Sequence, residues 1–136
     1  MGIDLATLRT FFASAPFMAD LGVEPVECAP GLVSTRLALQ PRHHQHSGVV
    51  HAGVMGAMAD HTMGAAAQSM TDQMILTAEF KLSLLRGARG QALECRGTVL
   101  KPGRLLMFTE AEVFVVDGTA RLLVAKASAT MAVTTA

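Results

Sequence analysis

The chain has no tryptophan and no tyrosine, and only two cysteines, Cys28 and Cys95, among its 136 residues. With no CxxC pair, the two cysteines write neither a disulfide framework nor a metal knuckle. Both fall in segments that read as strands, and they are expected to be buried, inert thiols of a cytoplasmic protein. No secretory leader is expected, since none is read before Asp4. An excess of one charge is also missing, since eleven basic side chains balance eleven acidic ones. No net field is left to attract nucleic acid or an anionic membrane, and neither is an expected partner. The longest apolar stretch, residues 54–70, is interrupted by Asp60, His61, Thr62 and Gln68. It does not make a membrane span.

Catalytic signatures of several common classes are missing too. Ser47 has no G-x-S-x-G around it, which disfavours a serine hydrolase. The glycines between residues 53 and 64 do not follow a strand in a phosphate-loop pattern, which disfavours a dinucleotide site. Five histidines, His43, His44, His46, His51 and His61, supply imidazoles but no HExxH and no regular ligand spacing. No metal and no organic cofactor are expected.

What is present is apolar. Half of the chain is hydrophobic and only 16% is charged, a balance that leaves a small subunit with surface to hide. We expect one domain over residues 1–136, large enough for a single core, and an obligate oligomer.

The order of elements follows from periodicity and turn chemistry. Residues 4–12 open on an acidic residue and carry Leu5, Leu8, Phe11 and Phe12 at helical spacing, which predicts a short helix. Pro16 opens another turn that ends at Gly22. Residues 23–28 and 32–39 read as a hairpin across Ala29-Pro30-Gly31. Residues 41–50 lack periodicity and read as a loop. From Ala52 to about Met70 the chain is rich in Ala, Met and Gly and apolar nearly all round, which predicts the main helix, enclosed on several sides. Along it, Gly53, Gly56, Asp60, Gly64 and Ala67 form a stripe over which another backbone is expected to pass closely. Four strands follow, over residues 74–85, 91–100, 104–116 and 119–133, separated by turns at residues 86–90, 101–103 and 117–118. The sum is an antiparallel meander after one long helix.

Asp60 stands out because an ionised carboxylate is rarely placed in so apolar a helix without a partner or a task. Its neighbour His61 points about 100° away around the helix and is left out of the site. From the residues alone, Asp60 is either a reacting group or a structural carboxylate. His51 either serves a substrate or satisfies backbone groups at the helix entry.

Three motifs in order resemble one family over nearly the whole chain. The first is Gln45-x-x-Gly48-x-x-His51-Ala52-Gly53 followed by Asp60. The second is Leu76-Thr77-Ala78-Glu79-Phe80-Lys81-Leu82 with Arg86-Gly87-Ala88-Arg89-Gly90. The third is Lys101-Pro102-Gly103-Arg104 with Asp117-Gly118 beyond it. Together they are similar to the PaaI-like acyl-CoA thioesterases, departing from the family pattern at Ala52, usually glycine, and at Gly87, usually proline. The resemblance implies an α+β hotdog fold, a long central helix wrapped by a five- to six-stranded antiparallel sheet. It implies hydrolysis of an acyl-CoA or aryl-CoA by a homodimer, paired further into a homotetramer.

By position, the resemblance makes Asp60 nucleophile or general base, Gln45 the group that orients thioester or water, and Thr77 a water-holding hydroxyl. His51 would position the loop, the Ala52 N–H would be the oxyanion donor, and Gly48 and Gly53 would permit close approach of the substrate. Arg86, Arg89, Lys101 and Arg104 sit in turns and either are merely solvated or meet the phosphates of CoA, with Arg86 and Arg89 taken as the substrate-binding pair. Eight residues of helix rise about 12 Å, so Asp60 and the Ala52 N–H of one chain cannot share one carbonyl. The reacting pair is therefore expected from different subunits. Two rivals stand beside this reading: a hotdog enoyl-thioester hydratase or dehydratase using His51 with Asp60, and a non-catalytic acyl-CoA-binding protein.

Overall fold

A computed structural model describes residues 3–135. Helix α1 spans Leu5–Ser14, and the Asp4 side chain caps it by accepting the Thr7 N–H at 2.8 Å. It buries Leu8 and Phe12 and leaves Phe11 half exposed, at 53%. Helix α2, Pro16–Leu21, starts on its proline and stops at Gly22, whose φ of 96° is the left-handed conformation that glycine adopts at low cost. Strands β1 (Glu24–Ala29) and β2 (Leu32–Ala38) form the expected hairpin. Helix α3 covers Ala52–Gln68, and strands β3 (Met74–Leu84), β4 (Ala92–Lys101), β5 (Leu106–Asp117) and β6 (Ala120–Thr134) complete the chain.

All pairings are antiparallel, and the six strands lie in the order β1-β2-β4-β5-β6-β3. The sheet curls around α3, which contacts β2, β3, β4, β5 and β6. That enclosure explains a helix apolar nearly all round: Met58, Ala59, Met63, Ala66 and Ala67 are fully buried, and each large side chain so placed contributes roughly 1.5–3 kcal/mol. This is the hotdog arrangement, with six strands.

The close passage of a strand over α3 differs in place from the expected stripe. A Cβ at Gly64 would meet nothing within 4 Å, whereas one at Gly97 of β4 would lie 3.0 Å from the Thr62 carbonyl oxygen. The tight approach is thus on the Thr62 face, where the Thr62 and Thr35 hydroxyls pair at 2.8 Å in a fully buried position. Residues 41–50 also hold more order than a loop. Pro41–His43 forms a 3-10 turn, and the His43 ring is buried, with Nδ1 accepting the Gln40 N–H at 3.0 Å and Nε2 2.8 Å from the Leu21 carbonyl. The two thiols differ as well: Cys95 is buried, Cys28 only half-buried.

Among the described residues no helix is long and apolar enough to cross a membrane. Strand β3 forms one edge of the sheet and exposes Met74, Leu76, Phe80 and Leu84.

Candidate functional site

Two groups of residues form at the two ends of the first turns of α3. The first lies at the helix start. His51 caps α3 in extended conformation, and its Nδ1 accepts the Gly53 N–H at 2.8 Å. A Cβ on Gly53 would lie 3.0 Å from that nitrogen, so glycine is what lets the ring close over the helix end. With Nδ1 an acceptor, the proton of the neutral ring sits on Nε2. Among the described residues the Ala52 N–H has no hydrogen-bond partner, and it lies at the positive end of a 17-residue helix.

The loop before this cap is held by its own polar groups. Gln45 is half-buried, and its Oε1 accepts the Ser47 N–H while its backbone N–H donates to Val49 O at 2.9 Å. The amide nitrogen of Gln45 is the part left for a ligand. Gly48 has φ of 89°, and a Cβ there would stand 3.0 Å from Nη1 of Arg89. The Arg89 guanidinium donates to Ser47 O at 3.2 Å and so braces the loop. Arg86 is exposed, and only its backbone N–H is engaged, weakly, with Val124 O at 3.4 Å.

The second group lies two turns along. Asp60 is half-buried, and its Oδ1 accepts the Thr77 hydroxyl at 2.6 Å, the short distance of a hydrogen bond to a carboxylate. A β-bulge between Thr77 and Glu79 makes this contact possible. In a regular strand, residues 77 and 80 would face opposite sides. The extra residue, Ala78, turns both inward, so that Thr77 reaches Asp60 and the Phe80 ring comes close to Gly56.

A cavity of about 430 Å³ opens beside Asp60. Its helix wall is Asp60, His61, Gly64, Ala65 and Gln68, two adjacent lines of one face. Leu8, Phe11 and Phe12 of α1 form the roof, and Ile75, Leu76 and Thr77 of β3 the far side. His61, set aside on angle alone, therefore lines the same cavity as Asp60. Its ring stands edge-on to Phe12, with centroids 4.5 Å apart. Burial lowers its pKa below the usual 6.5, and the neighbouring Asp60 charge opposes that shift. Neither His61 nor the aromatic pair of α1 was marked by a motif. The available signal was the spacing 60, 61, 64, 65, 68, a broader stripe than the one considered.

The expected site residues thus fall into a loop group (Gln45, Gly48, His51, Ala52, Gly53, Arg89) and a helix-strand pair (Asp60, Thr77). Among the described residues, no three His, Cys, Asp or Glu side chains are placed to hold a metal.

The fold and family are matched among known proteins. Residues 47–121 match the family model of the thioesterase superfamily. A thioesterase family protein from Silicibacter pomeroyi is 30% identical and superposes with a TM-score of 0.92, over 95% of this chain and 96% of that one. A conserved protein from Pseudomonas aeruginosa is 31% identical, with a TM-score of 0.83 over 93% of this chain and 98% of that one. The PaaI protein of the Escherichia coli phenylacetic acid degradation operon shares the fold at 14% identity, with a TM-score of 0.84 over 93% of this chain and 90% of that one. No curated protein matches significantly. The chain belongs to the thioesterase superfamily. Its class of chemistry is thioester hydrolysis.

Proposed function

We propose that the protein hydrolyses an acyl-CoA or aryl-CoA to the free acid and CoA, and that Asp60 supplies the reacting carboxylate. The observation that carries this reading is Asp60 itself: one carboxylate in an apolar helix, held at 2.6 Å by Thr77 and open to an apolar cavity. Hydrolysis needs a polarised thioester carbonyl and a base or nucleophile beside it. In one course Asp60 attacks the carbonyl carbon, the C–S bond breaks, and water then cleaves the mixed anhydride. In the other, Asp60 takes a proton from the water that attacks. Both expel CoA thiolate, which leaves as the thiol after protonation.

The oxyanion donor in this reading is the Ala52 N–H of the partner subunit, because the chain's own Ala52 lies about 12 Å of helix away from Asp60. The unpartnered N–H and the dipole at the start of α3 suit a developing negative charge. His51 holds that helix end in shape, and the free amide nitrogen of Gln45 orients thioester or water. Gly48 and Gly53 let the loop close, and Arg86 and Arg89 meet the CoA phosphates. A homodimer is favoured by β3, an edge strand of 11 residues that leaves Met74, Leu76, Phe80 and Leu84 exposed. Pairing of dimers into a tetramer and a cytoplasmic location belong to the same proposal. The free thiols Cys28 and Cys95 fit the latter.

The test is thiol release from a panel of acyl-CoAs by wild type and Asp60→Asn. Release by wild type that is abolished in Asp60→Asn is the expected result, and unchanged release by the variant refutes the role of Asp60. Hydration of an enoyl-CoA without free thiol would favour the lyase, and binding without turnover the carrier.

A further inference from the structure

We infer that the cavity beside Asp60 takes an unsubstituted apolar acyl tail, running along α3 from Asp60 past Gly64 toward Gln68, and that Gly64 is the residue that admits it. The inference rests on Asp60 standing at the thioester. From Asp60 to Gln68 the helix rises about 12 Å, and Gly64 lies midway on the same line. A Cβ at Gly64 would meet nothing within 4 Å, so the missing side chain is an open space inside the cavity and not a requirement of packing. No φ in the left-handed range demands glycine there either.

Among the described residues, the far end offers an incoming anion no free side-chain donor. The Gln68 amide nitrogen donates to Thr71 O at 3.1 Å and Gln73 O at 2.7 Å, and its oxygen accepts the Ile75 N–H at 3.3 Å. On the roof, Ser14 Oγ donates to Phe11 O at 2.8 Å. A terminal carboxylate on the acyl group, which can only accept, would give up water there for no free donor, a loss that disfavours such substrates. Ile75, whose N–H meets Gln68, is apolar wall at that end, and Leu8, Phe11 and Phe12 make the roof of the cavity apolar. Asp60, whose Oδ1 accepts from Thr77, and His61 are at the thioester end.

The experiment measures kcat/KM for straight-chain acyl-CoAs of increasing length and for matched ω-carboxyacyl-CoAs, with wild type, Gly64→Ala and Gly64→Leu. Wild type is expected to prefer chains long enough to pass Gly64 over acetyl-CoA, and plain chains over ω-carboxy ones, by about tenfold or more. Gly64→Leu should lower the long-to-short ratio by about tenfold, with Gly64→Ala shifting it less in the same direction. Circular dichroism checks that each variant is folded. Should the leucine variant not fold, the alanine variant, whose methyl meets open space, decides. An unchanged ratio in a folded variant, or a preference for ω-carboxy chains, overturns the inference while leaving hydrolysis by Asp60 intact. No thiol release from any ester by wild type overturns that hydrolytic reading, and the inference with it.

Discussion

Thr77→Val removes one hydroxyl from the 2.6 Å contact with Asp60 and keeps the shape of the side chain. A hydrogen bond to a charged group contributes about 1.5–3 kcal/mol. Thr77 is exposed and Asp60 only half-buried, so the lower end applies, and about 1.5 kcal/mol corresponds to roughly a tenfold fall in kcat. The hydroxyl positions the carboxylate and touches no remote part of the substrate, so KM should change much less than kcat. Thr77→Ser, which keeps the donor, should recover most of the rate. In the background of Asp60→Asn, the Thr77→Val change should cost little more, because the two groups act as a unit. Steady-state thiol release on one acyl-CoA measures all five proteins, the Asp60→Asn single and double variants included. Equal kcat in wild type and Thr77→Val, or a serine variant as slow as the valine variant, would refute the positioning argument.

Gly90→Ala should destabilise the fold by about 1–3 kcal/mol in a denaturant titration, because a methyl there collides with the Val116 carbonyl oxygen and lies 2.9 Å from Val115 Cγ2. A melting curve like wild type would show that the turn yields without cost. His61 has a folded pKa below 6.5 because burial disfavours its charge. Stability is therefore full above about pH 6.5 and falls as pH drops toward the folded value, since the unfolded chain binds the proton more readily. Denaturation midpoints between pH 8 and pH 5 should show this slope, and His61→Asn should flatten it; an identical slope would count against the assignment. Burial pushes the Cys95 thiol up to about 12, so a thiol reagent at pH 8 should label Cys95 only in denaturant while Cys28, half-buried, reacts slowly in the native protein. Mass spectrometry of the native labelled protein distinguishes the two.

Much of the fold was legible because the local signals agreed. The Asp4 cap, the Gly22 stop, the small-residue helix after His51 and the turns at residues 86–90, 101–103 and 117–118 each had their own chemistry, and element order followed. Asp60 was legible as a carboxylate out of place in its helix, and Thr77 through the family motif. The bulge at Ala78, which turns Thr77 toward Asp60, left no local mark, because only the register with β6 creates it. His61 and the α1 roof were missed for a related reason. A helical angle from one residue says which line a side chain follows, but the cavity spans two lines and is finished by a segment some fifty positions earlier. His43 was one of five histidines in the sequence, and nothing local revealed that its ring packs inward against the Leu21 carbonyl.

The central claim is that each reacting centre joins Asp60 of one subunit to the helix start of another, and mixing two disabled chains tests it most directly. Ala52→Pro deletes the N–H alone. Proline suits the first position of a helix, and His51, at φ −63° and ψ 136°, already has the conformation that precedes proline. Asp60→Asn deletes the carboxylate. Each variant by itself should lose about 10²- to 10³-fold in kcat. Unfolded together and refolded as an equal mixture, they should recover about a quarter of the wild-type rate, since half of the random dimers are mixed and each of those holds one intact site of two. A mixture as inactive as its components, with both variants folded and mixed dimers present, would contradict the account.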